Sequence, residues 1–213
     1  MDWLLNTFRS SIGKKLIMAV TGLSFCLFLG VHLLGNLTIY GGSGSFNAYS
    51  DKLHSFGALI TAAEWGLLLF ALLHVCMGAL LYFQNLWARP TRYIMKRTAG
   101  GRTWSSMIMP YTGLYLLVFV IIHLFTFHFV DRGDQGLFSI VAAVFHRPGY
   151  VVFYLFSMLV AAFHIKHGFW SAFQSIGANH PKYTPLIRGV AVVFSWAVVL
   201  GFGSIPLFIM SRT

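Results

Sequence analysis

The chain has 213 residues, 57% of them hydrophobic and only 9% charged. A soluble domain carries about 25% charged residues to wet its surface, so a soluble globular protein is excluded, and with it a large polar active site housed in a second domain. The net charge of +10 would point to nucleic acid in a soluble protein; here its meaning lies in where the cations stand relative to the apolar runs, and no nucleic-acid partner is expected.

Residues 1–15 mix Trp3, Leu4, Leu5, Phe8 and Ile12 with Arg9, Lys14 and Lys15, the composition of a helix lying in a membrane interface. Five apolar runs follow, at about 16–40, 58–84, 106–130, 148–175 and 186–210, each long enough to cross a hydrocarbon core of about 30 Å at 1.5 Å per residue. The first run follows Lys14 and Lys15 directly and is too long for the h-region of a cleaved signal, so it reads as a retained first helix. Glycine- and serine-rich 41–45 with polar 47–52 reads as the first loop, 88–102 as the second, 131–134 as the third and 178–183 as the fourth. Cys26 and Cys76 sit inside apolar runs and read as small core residues. No internal repeat and no low-complexity tail stand out. The expected fold is an all-α integral membrane protein, a single domain over 1–213 with five transmembrane helices in a bundle.

Orientation follows from the cations on the two sides of an alternating five-helix path. Arg9, Lys14, Lys15, Arg89, Arg92, Lys96, Arg97, Arg102, Lys166, Lys182 and Arg188 fall on one side, and Lys52, Arg132, Arg147 and Arg212 on the other. By the positive-inside rule the N-terminus is cytoplasmic and the protein is a multi-pass component of the inner (cytoplasmic) membrane. The basic face suits either a soluble partner or anionic lipid.

Nine histidines are unusual in so apolar a chain, because a titratable side chain in hydrocarbon is costly and marks function. His54, His146 and His180 lie in loops. His32, His74, His123 and His164 each lie inside a separate run. Counted from the cytoplasmic end, His32 and His123 lie roughly 25 Å deep and His74 and His164 roughly 16 Å deep. Two levels with two histidines each match two six-coordinate haems, since each imidazole supplies one axial nitrogen and the macrocycle fills the gap between helices. With both axial positions filled no open site remains for oxygen chemistry, which leaves electron transfer. Gly35, Gly78 and Gly168 lie three or four residues from His32, His74 and His164 and offer bare backbone for a flat ring. His167 and His128 lie close enough to His164 and His123 that spacing alone leaves them as rivals.

Several stretches are familiar together: Ser11-Ile12-Gly13-Lys14-Lys15, Thr21-Gly22-Leu23, 32–37 (HLLGNL) and 164–177 (HIKHGFWSAFQSIG). They resemble the single-chain, five-helix, di-haem cytochrome b membrane anchor of the succinate dehydrogenases and fumarate reductases, over almost the whole chain. The resemblance implies two haems b, with His74 and His164 holding the one nearer the cytoplasm and His32 and His123 the outer one; the glycine and aromatic pair after His164 favour it over His167. It also implies flavoprotein and iron–sulfur partner subunits on the cytoplasmic face, where the dicarboxylate chemistry occurs, and electron exchange with menaquinone or another quinone in the bilayer. Some menaquinol-linked relatives have a glutamate for a compensating proton path where this chain has Ala162.

Glu64 is the one acid inside a run. With Asp51 and His54 from the preceding loop it forms a candidate quinone site at the outer level, Glu64 exchanging the quinone proton as the catalytic residue. Lys14, Arg92 and Gln174 are candidates for the propionates of the inner haem. Two other readings stand beside this one. A cytochrome b serving a hydrogenase or formate dehydrogenase would use the same histidines with a different soluble partner. A haem-free transporter or proton channel would use them as a relay, though the runs hold hardly any acids to carry protons.

Overall fold

Inside hydrocarbon a backbone must satisfy its own polar groups, so long apolar runs become helices. The computed structural model describes residues 10–88, 104–131, 133 and 135–212, and no strand occurs among them. Helix α1 spans Ser11–Asn36, its N-terminus capped by the Ser10 hydroxyl, which accepts from the Gly13 amide at 3.0 Å. A 3₁₀ turn, Leu37–Gly41, leads into α2, Gly42–His54. Gly42, at φ +85°, provides the left-handed bend between them. Helix α3 spans Ala58–Trp87 and α4 spans Trp104–His123, continuing into a π-helical turn, Leu124–His128. Helices α5, Leu137–Phe145, α6, Pro148–Ser175, and α7, Thr184–Met210, complete the chain. The helical stretches containing α1, α3, α4, α6 and α7 are the five long and apolar enough to cross a membrane, as expected.

Two segments differ from the sequence expectation. Residues 42–52, expected as loop, lie in α2, whose Phe46 and Ser50 are buried one turn apart on a single face; packing of that face outweighs the low helix propensity of Gly42, Ser43 and Gly44. Helix α5 follows the third loop, is too short to span, and buries Ile140, Val141 and Phe145. The two short helices pack on each other at the end of the bundle where α1 finishes. The Phe46 and Phe138 rings meet edge to face, and the Phe138 amide donates to the Asn47 side-chain oxygen at 2.9 Å. A side chain at Gly136 would collide with Asn47.

Helix α6 lies at the centre, packed against α1, α4 and α7. Its Val151, Tyr154, Met158, Ala161 and Ile165 join Val198, Ile205 and Ile209 of α7 in the main core. Helix α3 lies at the edge against α1 and, less closely, α4, and none of its residues is buried. Arg92 and the rest of 89–103, and residues 1–9 of the expected interfacial segment, lie outside the described residues, as do Arg132 and Asp134.

Candidate cofactor site

The four intramembrane histidines fall at two heights. His32 of α1 and His123 at the end of α4 meet directly, their ring centroids 6.0 Å apart and their planes perpendicular. At the other height, His74 of α3 reaches α1 and His164 of α6 reaches α4. Thr21 is the α1 contact and Thr112 the α4 contact, and each precedes the histidine of its own helix by eleven residues, which sets the two levels about 16 Å apart along the axes.

At the level of His74 and His164, the inner one of the sequence expectation, the two contacts match each other. The Thr21 hydroxyl lies 3.0 Å from His74 Nδ1 and the Thr112 hydroxyl 3.0 Å from His164 Nδ1. The next residue is glycine in both cases, and a Cβ built on Gly22 or Gly113 would stand 3.3 Å from Cε1 of the same histidine. These glycines let each imidazole lie against the facing helix. Gly78 and Gly168 face only the methyl ends of Met18 and Met109 at 3.8 Å, flexible groups that yield easily. His164, not His167, makes the cross-helix contact.

The likeness reflects an internal repeat that sequence reading missed. A shift of 91 residues lays Ile17, Met18, Thr21, Gly22, Leu23, Phe28, His32 and Leu33 on Ile108, Met109, Thr112, Gly113, Leu114, Phe119, His123 and Leu124. A shift of 90 lays Ala71, His74, Gly78, Phe83 and Gln84 on Ala161, His164, Gly168, Phe173 and Gln174. The one-residue change of register between the helix pairs, on a uniformly apolar background, hides the repeat. The Thr-Gly pairs eleven residues before a histidine are the signal that would have exposed it.

At the level of His32 and His123, the outer one of the sequence expectation, the halves differ. His123 Nδ1 is 3.2 Å from the Tyr154 hydroxyl, inside a nest of Phe119, Phe127 and Phe145 rings. His32 stacks on Phe28 with ring centroids 5.2 Å apart and touches Phe202. The Asn36 amide donates to the His32 carbonyl at 2.8 Å and stands 3.4 Å from Nδ1. Gly35 is expected from sequence to offer bare backbone to a flat ring beside His32; instead the Tyr49 ring of α2 occupies the space its side chain would take.

Glu64 stands at the repeat position of Tyr154, yet it approaches His128, at 3.9 Å between Oε1 and Nδ1, with both side chains nearly half exposed. The π turn explains the meeting. The Phe129 amide bonds to the Leu124 carbonyl five residues back, and this wider turn swings His128 round towards the side that His123 faces. Neither Asp51 nor His54, the partners expected from sequence, is the contact recorded for Glu64. Asp51 is exposed, and the His54 ring bonds to the Ser50 carbonyl of its own helix at 2.7 Å. At the opposite end Lys14 donates to Gln84 at 3.0 Å, while Gln174 is exposed. Gln84, the repeat partner of Gln174, was not anticipated.

The donor set decides what such a site suits. Among the described residues no three His, Cys, Asp or Glu side chains gather around a point, so a cage of protein ligands is not formed, and His32 and His123 stand as a pair. Two imidazoles bound in line to one metal ion at about 2 Å per bond have ring centroids about 6 Å apart, the separation of His32 and His123. Two axial ligands leave the other four positions to a planar macrocycle, so the residues fit haem.

No family model matches the chain, and neither does any curated protein or solved structure.

Proposed function

We propose that the chain is a di-haem cytochrome b membrane anchor, passing electrons between a membrane quinone and iron–sulfur and flavin subunits, as in a succinate:quinone oxidoreductase or quinol:fumarate reductase. The observation that carries this reading is the His32–His123 pair at 6.0 Å, with His74 and His164, each against a threonine of a facing helix, at a second level. Bound haem supplies reversible one-electron transfer at each level. The chain's residues hold and separate the two carriers: His74 and His164 bind from α3 and α6, His32 and His123 from α1 and α4. Phe28, Phe119, Phe127 and Tyr154 pack around the outer pair and keep water from it.

Glu64 and His128 take the protonic part. A quinol delivers two protons with its two electrons, and the Glu64 carboxylate, beside His128 and nearly half exposed, accepts one at Oε1 while the other is released to water and the electrons pass inward. Lys14 and Gln84 mark the inner end, where anionic propionates favour a cation; Gln174 and Arg92 are further candidates there. The basic residues around 89–102 suit the soluble subunits on the cytoplasmic side.

The test is haem content. Purified chain or complex should show a reduced-minus-oxidised spectrum of b type with about two haems per polypeptide, from four axial histidines. One haem or none per chain overturns the reading, and a colourless protein would favour a haem-free channel.

A further inference from the structure

The two Thr-Gly pairs do more than make room. In each, the threonine hydroxyl has one proton and three neighbours that compete for it: two carbonyls of its own helix and the Nδ1 of a histidine on another. Thr21 Oγ1 lies 2.8 Å from the Ile17 carbonyl, 3.2 Å from the Met18 carbonyl and 3.0 Å from His74 Nδ1. Thr112 Oγ1 lies 3.1 Å from the carbonyls of both Ile108 and Met109 and 3.0 Å from His164 Nδ1. Two oxygens at 2.8 Å hold a proton between them, and a carbonyl has none to give. The hydroxyl proton therefore points back along its own helix. The proton shared with the histidine must come from Nδ1. At Thr21, where the Ile17 carbonyl is 2.8 Å away, Nδ1 of His74 then carries hydrogen and Nε2 is the free lone pair; Thr112, with both carbonyls at 3.1 Å, has the same three neighbours in the same arrangement, which extends the assignment to His164.

We propose that Thr21 and Thr112 are positioning residues: their hydroxyls accept Nδ1–H from His74 and His164, present Nε2 of both rings to a single haem iron, and together lower its reduction potential. The inference rests on the proposed function for the haem, though not for the tautomer. The direction follows from charge. An imidazole that donates at Nδ1 gains electron density at Nε2 and becomes a more basic ligand, which favours the ferric over the ferrous ion. The outer pair has a different arrangement, with Tyr154 beside one histidine and Asn36 beside the other, and so lies outside the effect. Gly22 and Gly113 are part of the same device, because a side chain there would press on the Cε1 edge at 3.3 Å and turn the ring. The repeat thus supplies one haem with two equal hydrogen-bonded ligands, one from each half of the chain.

The experiment replaces Thr21 and Thr112 by valine, which keeps the shape and removes the hydroxyl, and by serine, which restores it. Midpoint potentials of the two haems are measured in the full chain within its complex. Thr21→Val and Thr112→Val should each raise the potential of the same one of the two haems, the double variant should raise it further, and Thr21→Ser should return it towards the wild-type value. No shift, a fall, or an equal shift of both haems overturns the proposal. The second arm needs no haem. Full chain stripped of haem and carrying ¹⁵N-labelled histidine should show Nδ1–H at His74 and His164, with His74 becoming a mixture of tautomers in Thr21→Val and His164 in Thr112→Val. Nδ1 found unprotonated in the wild type overturns the proposal. If the chain carries no haem, the proposed function fails in the first arm while this arm still decides the role of the threonines. Should one valine variant not accumulate, the other gives the same decision on its own histidine.

Discussion

The inner and outer histidine levels are built from one repeated helix pair, and the repeat is kept more closely at one level than at the other. At the inner level the halves agree in three contacts: a threonine 3.0 Å from Nδ1, a glycine against Cε1, and a methionine tip over the glycine after the histidine. At the outer level the repeat position that holds buried Tyr154 in one half holds exposed Glu64 in the other. Tyr154 is sealed by aromatic rings; Glu64 stands exposed, with His128 swung across to it from the other half. Identity of the halves suits a level that only holds and relays. Difference suits a level where something from outside must enter, and an ionisable pair at the edge of the bundle is where a membrane-dissolved quinone would exchange protons.

The largest effect tests whether the inner level is symmetric. His74→Ala and His164→Ala should each remove the same single haem, giving about one haem per chain by ligand count, whereas His167→Ala should leave two. Haem quantitation with spectra of the three variants checks this. Retention of both haems in His164→Ala, with loss in His167→Ala, would move the ligand by one helical turn and break the likeness of the halves.

A smaller but still severe effect should follow at the outer level, on the open side. Glu64→Gln keeps the shape and removes the exchangeable charge, so quinone-coupled turnover should fall at least about tenfold, or about 1.4 kcal/mol in the barrier. Both haem spectra and succinate oxidation by a soluble dye should be unaffected. Unchanged quinone turnover would remove Glu64 from the chemistry and leave the divergence of the two halves without a functional reason.

The five spans were legible because length and apolarity suffice to define them, and the sorting of the histidines into two levels because depth along a helix is a count of residues; the separation, about 16 Å and not the roughly 9 Å of that count, depends on where each helix meets its neighbour. Residues 42–54 were not, since Gly42, Ser43 and Gly44 read as loop until the face of Phe46 and Ser50 is seen packed against α5. The partner of Glu64 was hidden for a different reason. In a regular helix His128 would point well away from the side His123 faces, and only the π turn, Leu124–His128, brings it round. The threonines were quoted for their resemblance but not for their role, because which side chain meets a histidine across two helices depends on helix pairing that spacing does not encode.

The smallest expected effect concerns the sealed side of the outer level. Tyr154→Phe removes only the hydroxyl 3.2 Å from His123 Nδ1. The ring remains, and its contacts with Phe119, Phe127 and Phe145, with centroids 5.2, 5.9 and 5.1 Å away, should remain with it. What is lost is one hydrogen bond to a partly buried imidazole, about 1 kcal/mol, equivalent to roughly fivefold in affinity at the site that imidazole serves. The loss should be confined to the outer level, because the inner histidines lie about 16 Å away along the helices and have their own threonine partners. Measured as haem retention and midpoint potential, Tyr154→Phe should therefore disturb the outer haem alone, the reverse of Thr21→Val. If Tyr154→Phe moved the inner haem instead, the two levels could not be the separately supported units that the repeat makes them.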